Sequence, residues 1–312
     1  MQYVFPDYYK DFQCIAGACK HSCCIGWEID IDPDMLAVYD TVPGEMGRRL
    51  REHISREGEP HFILGEDERC PFLNECNLCD IILTLGEDHI CGICTDHPRF
   101  RNELPGRLET GLGLCCEEAA RLILGKQTPT ALEASGEPEE EDDIIALRDE
   151  VLALLQDRRK SIPERVEHML QLCGGALPQR NMGQWAETFL GLERLDEAWT
   201  RVLTFLQAKW HKADLSGFDR YMAQRQTEYE QLLMYLVYRH LANAFDGLDL
   251  AARAAFAALG YTLLHDIGAT IWTETGTFSF ENQVELARLF SSEIEYSEEN
   301  RDSLLDELTP CI

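Results

Sequence analysis

Lysine is scarce in this 312-residue sequence. Lys10, Lys20, Lys126, Lys160, Lys209 and Lys212 are the six present; with 22 arginines they face 56 acidic residues, and the formal charge is −28. Phosphate backbones need Lys and Arg gathered on one face, so no nucleic-acid partner is expected. The same negative field favours a basic partner and repels anionic surfaces. Long apolar runs are missing too. The most apolar part, Leu250 to Trp272, has Asp249 beside it and Arg253, His265 and Asp266 within it, so no membrane span is expected. The opening MQYVFPDYYKDFQC has neither a basic n-region nor an apolar h-region, which points away from a signal peptide and towards the cytoplasm. No repeat of fixed period is visible. The Cys-x3-Cys-x2-Cys arrangement of radical enzymes is absent. Glu109-Thr-Gly111-Leu-Gly113-Leu resembles a glycine-rich nucleotide loop only in part, because it lacks a preceding apolar strand and a third glycine.

Cysteine, by contrast, is abundant. Eleven of the thirteen lie between Cys14 and Cys116, as Cys14-x4-Cys19-x3-Cys23-Cys24, Cys70, Cys76-x2-Cys79, Cys91-x2-Cys94 and Cys115-Cys116. In a reducing compartment such density reads as metal binding or redox chemistry rather than a disulfide framework. Thiolates bind soft or borderline metals, and a tetrahedral site is helped by two close pairs. Cys76-x2-Cys79 and Cys91-x2-Cys94 form a zinc-ribbon-like pairing. The N-terminal cluster matches neither the common zinc knuckles nor the bacterial ferredoxin run. Cys23 and Cys24, being adjacent, diverge in either regular conformation, so one of the two is expected to serve a second metal, a second cluster or no metal.

Length alone suggests about two domains, and 45% hydrophobic with 27% charged residues is the composition of a globular chain. Gly26-Trp-Glu-Ile-Asp-Ile-Asp32 alternates like a short strand. Asp32-Pro33 looks like a helix start, with Asp32 as N-cap and Pro33 at the first position. Arg48 to Arg56 continues in helical register, Ile81 to Leu85 fits strand and helix equally, and Glu117 to Leu124 is a helix that Gly125 ends. From 128 to 143 the chain has little to bury and reads as an acidic linker. Apolar residues then recur at three- and four-residue spacing over 144–159, 163–172, 182–190, 195–209, 218–245, 250–272 and 281–308. The expected fold is therefore mainly α. A cysteine-rich metal-binding domain with little β occupies 1–127, a linker 128–143, and an all-α helical bundle 144–312.

Several spaced motifs together resemble the flagellin lysine-N-methylase family. They are Phe12-x-Cys14-Ile15-x3-Cys19-x3-Cys23-Cys24-x-Gly26-Trp27, Cys70-Pro71-Phe72-Leu73 with Leu78-Cys79, Cys94-x2-His97-Pro98-Arg99, and Cys116-x-Glu118-Ala119-Ala120-Arg121. Tyr235-x2-Tyr238-Arg239 and Ser292-Glu293-Ile294-Glu295-x-Ser297-x-Glu299-Asn300 are similar to its helical half. A broader cysteine-rich group of zinc- or iron-chelating domains is related. The resemblance implies metal ligands at Cys14, Cys19, Cys23, Cys24, Cys70, Cys79, Cys94 and Cys116, with Cys76, Cys91 and Cys115 as extras. This sequence departs from the family at His97, Glu117 and Tyr296, where Tyr, Pro and His are usual.

The function so implied is transfer of methyl from S-adenosylmethionine to surface lysines of flagellin, with an iron–sulfur cluster, [4Fe–4S], as cofactor and zinc as the alternative. A lysine must be neutral to attack, although its free pKa is about 10.4, so a site has to desolvate the ammonium or accept its proton. Glu293, Glu295 and Tyr296, with Arg239, are the candidate catalytic residues; Arg99 and Trp27 are the candidates for cofactor binding. The competing expectation is a non-enzymatic zinc- or iron-binding module whose helical half docks a protein.

Overall fold

The computed structural model describes residues 1–137 and 142–310. The chain divides into two compact units, one made of residues 1–12 and 100–312 and the other of residues 13–99. It is mainly helical, with 59% helix and 10% strand.

The first unit joins the chain's opening strand to its helical half. Strand Gln2–Pro6 pairs in parallel with Arg107–Leu112 and antiparallel with Leu132–Ser135; Arg99–Leu104 completes a four-stranded sheet outside Arg107–Leu112. The sheet therefore belongs to the same unit as the helices that follow it, and from residue 143 on the described elements are all helical. Part of the stretch expected to be a linker is this fourth strand; residues 138–141 of it lie outside the described residues. The division between units accordingly falls at 12/13 and 99/100 rather than across 128–143. The physical reason is pairing: backbone hydrogen bonds to Gln2–Pro6 tie residues 132–135 into the sheet although their side chains bury little.

Helix starts follow the sequence closely. The expected helix Glu117–Leu124 is present, and capping boxes at Ser161/Glu164, Asn181/Gln184 and Ser279/Asn282 open three more. The expected 218–245 helix is two, Leu215–Tyr221 and Gln226–His240. Gln226–His240 is buried from Glu228 onwards and forms the axis of the unit. Against it packs Gly247–Thr275, a 29-residue helix long and apolar enough to cross a membrane. In this fold 78% of its most apolar stretch is covered by protein, which makes it a core helix.

One ion group pins the sheet to the helices. Glu109 and Arg148 are both fully buried, with Arg148 Nη1 and Nη2 donating to the carboxylate at 2.9 and 2.6 Å. Arg107 reaches the same carboxylate at 2.7 Å. Tyr238 Oη, beneath the Arg148 guanidinium, donates to the carbonyls of Val4 and Thr110. Removing one partner of a buried pair costs more than the pair is worth, because a charge is left in low dielectric. Glu109→Ala should therefore lower unfolding free energy by about 3 kcal/mol, read from the urea midpoint, while Glu109→Leu combined with Arg148→Met should recover most of it.

The second unit, residues 13–99, is small and built of short elements. Its helices are Pro33–Thr41, Gly44–Glu52, Asp80–Leu85 and Gly92–Asp96, with one two-stranded ribbon, Ile54–Ser55 with His61–Phe62. Asp32 caps Pro33–Thr41 as expected, accepting from Met35 N at 2.9 Å; its other oxygen accepts from Gly92 N at 2.8 Å. The expected strand after Gly26 reduces to a single bridge, Asp30 with His61. The core here is Tyr39, Leu50, Phe62, Phe72 and Ile81, with cysteines among them.

Candidate functional site

In the unit of residues 13–99 the cysteines part into two environments. Cys70 and Cys91 are buried, and Cys24, Cys79 and Cys94 pack against the same apolar core. Cys14 and Cys76 are exposed. No disulfide joins the cysteines among the described residues. Cys76, one member of the zinc-ribbon-like pairing, is thus an exposed thiol, and its backbone N–H donates to Asn74 Oδ1 at 2.9 Å. Trp27 donates from Nε1 to the carbonyl of Cys23 at 2.7 Å, and its ring lies 6.4 Å from that of His97. Arg99 donates to the Thr95 carbonyl at 3.1 Å. Burial, reinforced by the charge of Arg99, pushes His97 down to about 4, so its imidazole is neutral at physiological pH.

The other unit holds a connected polar network. Its unusual element is the π-helical turn Ser291–Glu295, closed by Tyr296 N–H donating to Ser291 O at 3.1 Å. Such widened turns rotate successive side chains out of the α register and recur at functional sites. This one sends Glu293 and Glu295 to different places. Glu293 accepts from the backbone N–H groups of Leu195 and Asp196 at 3.0 and 2.7 Å, just ahead of the helix Glu197–Lys209. It is a structural cap, and it does not join the other candidate catalytic residues.

Glu295 points inward. His240 Nε2 lies 2.6 Å from its Oε1, Tyr235 Oη donates to its Oε2 at 3.0 Å, and Arg239 Nη1 stands 3.7 Å from Oε1. Arg239 also donates to Tyr235 Oη at 2.6 Å, and so does the Leu114 backbone N–H at 3.3 Å. Burial alone would raise the Glu295 carboxyl, but the Arg239 charge and the His240 hydrogen bond hold it down at about 2. Burial lowers His240 against the pull of Glu295, leaving a neutral imidazole beside a carboxylate. The network thus carries one positive and one negative charge, with both carboxylate oxygens engaged.

Arg239 lies between two aromatic rings, 5.0 Å from the centroid of Phe100 and 4.5 Å from that of Tyr296. Here the partial nucleotide-loop reading finds its correction. Gly111 lies on the strand Arg107–Leu112, where a Cβ would overlap the Phe100 ring, and a Cβ on Gly113 would overlap Tyr296 Oη. The two glycines make room for the two rings that enclose a guanidinium. Tyr296 is 43% exposed, the open end of the network, with the Cys115 thiol as its neighbour. Burial first, then the neighbouring Cys115, raises that phenol well above its usual value, so it stays protonated. Burial likewise pushes Cys115 up to about 12.

Residues 184–309, which contain this network's helical members, match the family model of the FliB lysine N-methylase C-terminal domain. Over these residues the chain is similar to the FliB lysine-N-methylases. It is 28% identical over 134 residues to lysine-N-methylases of Salmonella choleraesuis and Salmonella typhimurium, a match covering 41% of this chain and 33% of each of those proteins. The match therefore spans about a third of the length of these curated relatives. It is also 28% identical over 137 residues to the flagellar biosynthetic protein FliU of Salmonella muenchen, covering 79% of that protein. No solved structure matches.

Within the FliB-type segment lie Tyr235, Arg239, His240, Glu293, Glu295 and Tyr296; Phe100 and Cys115 come from outside it. Of the expected catalytic residues, Arg239, Glu295 and Tyr296 meet. No motif marked Phe100, and the Tyr235–Glu295 bond joins residues 60 apart. The expected metal ligands divide as well: seven lie in residues 13–99, while Cys116 is in the other unit. Among the described residues no three His, Cys, Asp or Glu side chains converge on a point that would suit a single metal ion. Cys24, Cys70, Cys79, Cys91 and Cys94 nevertheless share one apolar core.

Proposed function

We propose that this chain is a protein-lysine N-methyltransferase that moves a methyl group from S-adenosylmethionine to the ε-amine of surface lysines on flagellin. The observation that carries the reading is the Arg239–Tyr235–Glu295–His240 network, inside the FliB-type segment and beside the partly exposed Tyr296. The lysine nitrogen lone pair forms the new N–C bond as the donor's S–C bond breaks, giving S-adenosylhomocysteine and a methylated lysine; the amine's proton must leave before attack. Net charge of −28 attracts a cationic target.

The electrostatics restrict who takes that proton. Glu295 is too acidic and fully engaged, so it fixes Tyr235 and His240 rather than acting as a base. Tyr296 is held as a neutral phenol, and its oxygen is an acceptor that orients the incoming ammonium. The proton then passes to solvent. Accordingly kcat/KM for methyl transfer should climb about tenfold per pH unit from 7 towards the lysine pKa of about 10.4, with no plateau near neutrality. A bell centred near pH 7 would show a dedicated base instead.

An iron–sulfur cluster, [4Fe–4S], is the cofactor of this reading, with zinc as the alternative; Cys14, Cys19, Cys23, Cys24, Cys70, Cys79, Cys94 and Cys116 are the family-implied ligands. Such a cluster supplies an open iron position or a store for one electron. Trp27 and Arg99 remain the proposed contacts for the cofactor side. The test is incubation of the full chain with flagellin and S-adenosylmethionine, followed by peptide mass mapping. The reading requires lysine peptides heavier by whole methylenes and dependent on the donor. A chain that keeps its metal yet modifies no lysine and binds no donor is a metal-binding module.

A further inference from the structure

His265 lies on the long helix Gly247–Thr275, and methyl transfer makes no use of it. Both of its ring nitrogens face carboxylates. Nδ1 is 3.0 Å from Asp266 Oδ1, and Nε2 is 3.0 Å from Asp219 Oδ1 on the short helix Leu215–Tyr221. A neutral imidazole has a single N–H, so it would donate to one carboxylate and turn a lone pair on the other. Only the imidazolium donates to both. Three buried rings surround the side chain, with centroids 5.3 Å (Phe218), 5.5 Å (Tyr229) and 5.8 Å (Tyr261) away. Tyr229 Oη has no hydrogen-bond partner among the described residues, so it does not compete for either nitrogen. Burial pulls the imidazole down, but Asp266 and then Asp219 more than reverse this, and its pKa stands above the ordinary 6.5. The other titratable groups facing it are the phenols of Tyr229 and Tyr261, both raised by burial and therefore uncharged. The arginines whose charges reach these phenols are themselves paired, Arg225 with Glu228 and Arg165 with Glu230.

We propose that His265 is a pH-sensitive clasp: as an imidazolium it fastens the helix Leu215–Tyr221 to Gly247–Thr275 through Asp219, and on losing its proton it loosens its hold. Asp266 adjoins His265 in the chain, so that contact is local. Asp219 is 46 residues away, and the Nε2 contact is the one that joins two helices. What the clasp holds can be traced. Two residues after Asp219, Tyr221 Oη donates to the Phe278 carbonyl at 3.0 Å and accepts from the Phe278 N–H at 3.2 Å. Phe218 meets the Phe278 ring edge-on, 5.4 Å between centroids. Phe278 directly precedes Ser279, the cap of the helix Phe280–Phe290, and that helix runs into the π turn. Loosening Leu215–Tyr221 therefore loosens the start of the element that carries the turn. The sign follows from the raised pKa: the clasp is closed below 6.5 and opens as pH rises through the folded value. The proposal does not rest on methyl transfer, since its test involves neither a methyl donor nor a target lysine.

The experiment is an NMR titration of the full chain with isotope-labelled histidine ring nitrogens, His265 being assigned by the signals missing from His265→Gln. Both of its nitrogens are expected to be protonated at neutral pH, with a midpoint above 6.5. Asp219→Asn changes an exposed carboxylate and should lower that midpoint. Hydrogen exchange, corrected for its intrinsic rise with pH, reads the helix itself. The Phe218 and Met222 amides, bonded along the short helix, and the Phe278 amide should lose protection severalfold as His265 gives up its proton. In Asp219→Asn these amides should be weakly protected throughout, without that step. A His265 midpoint at or below 6.5 overturns the proposal. So does wild-type protection that ignores the titration, or a step that survives intact in Asp219→Asn. Should His265→Gln fail to fold, Asp219→Asn makes the assignment, because the His265 signals are the ones it must move; a titration in which it moves none also overturns the clasp.

Discussion

Glu295→Ala should destabilise the helical unit by about 3–5 kcal/mol and abolish measurable methyl transfer, because it strands a buried guanidinium and leaves two further groups without their acceptor. Three donors converge on this carboxylate: Tyr235 and His240 as hydrogen bonds and Arg239 as a charge. Glu295→Gln keeps the shape and an acceptor but loses the charge, so it should cost less in stability than Ala. Replacing Arg239 by Met in the Glu295→Gln background should restore part of what is lost, since the unpaired charge is then gone. Urea unfolding of wild type, Glu295→Gln, Arg239→Met and the double variant gives the coupling directly. A loss below about 1 kcal/mol for Glu295→Ala would mean that water reaches Arg239 and the network is not sealed. The pH dependence has a definite sign. The folded carboxyl titrates at about 2 against an ordinary 4.5, so its contribution is complete above pH 4.5 and is lost as pH falls towards 2. Wild type and Glu295→Gln should therefore differ most near neutrality and converge in acid.

How much of this was legible beforehand depends on how local each signal is. The cap at Asp32 and the helix Glu117–Leu124 depend on neighbours three or four residues away, and both were read correctly. The strand Leu132–Ser135 was not, because its partner Gln2–Pro6 lies more than a hundred residues off and only the backbone pairs. Residues 218–245 carry continuous helical periodicity, yet the helix breaks at Met222–Arg225, where the Arg225 side chain turns to Glu228 and the Phe278 carbonyl. The site divides the same way. Arg239, Glu295 and Tyr296 were singled out by motif. That Glu293, two residues from Glu295, serves a different partner follows from a π turn, and apolar spacing does not distinguish that from an α turn. Gly111 and Gly113 were conspicuous in the sequence for the wrong reason: glycine marks a close approach, and what approaches here is an aromatic ring rather than a phosphate.

At Gly113 a single added methyl group is expected to have a large effect on activity. Gly113→Ala adds one methyl group where Tyr296 Oη already sits, so the phenol must move. Tyr296 would lose its place over Arg239, while the buried members Tyr235, His240 and Glu295 keep their hydrogen bonds. Misplacing an orienting group by about 1 Å costs on the order of 100-fold in rate even when no interaction inside the core is lost. Gly113→Ala should thus lower kcat/KM for methyl transfer about 100-fold while shifting the urea midpoint little. Tyr296→Phe removes the oxygen without moving the ring, and should reproduce the kinetic loss while retaining the stacking on Arg239. Combining Gly113→Ala with Tyr296→Phe separates the two causes, since the added methyl then meets no hydroxyl. If the loss comes from displacing Tyr296 Oη, the double variant should be no worse than Tyr296→Phe alone. A double variant far below both singles would place the damage in the Gly113 backbone, and with it the orienting role outside Tyr296.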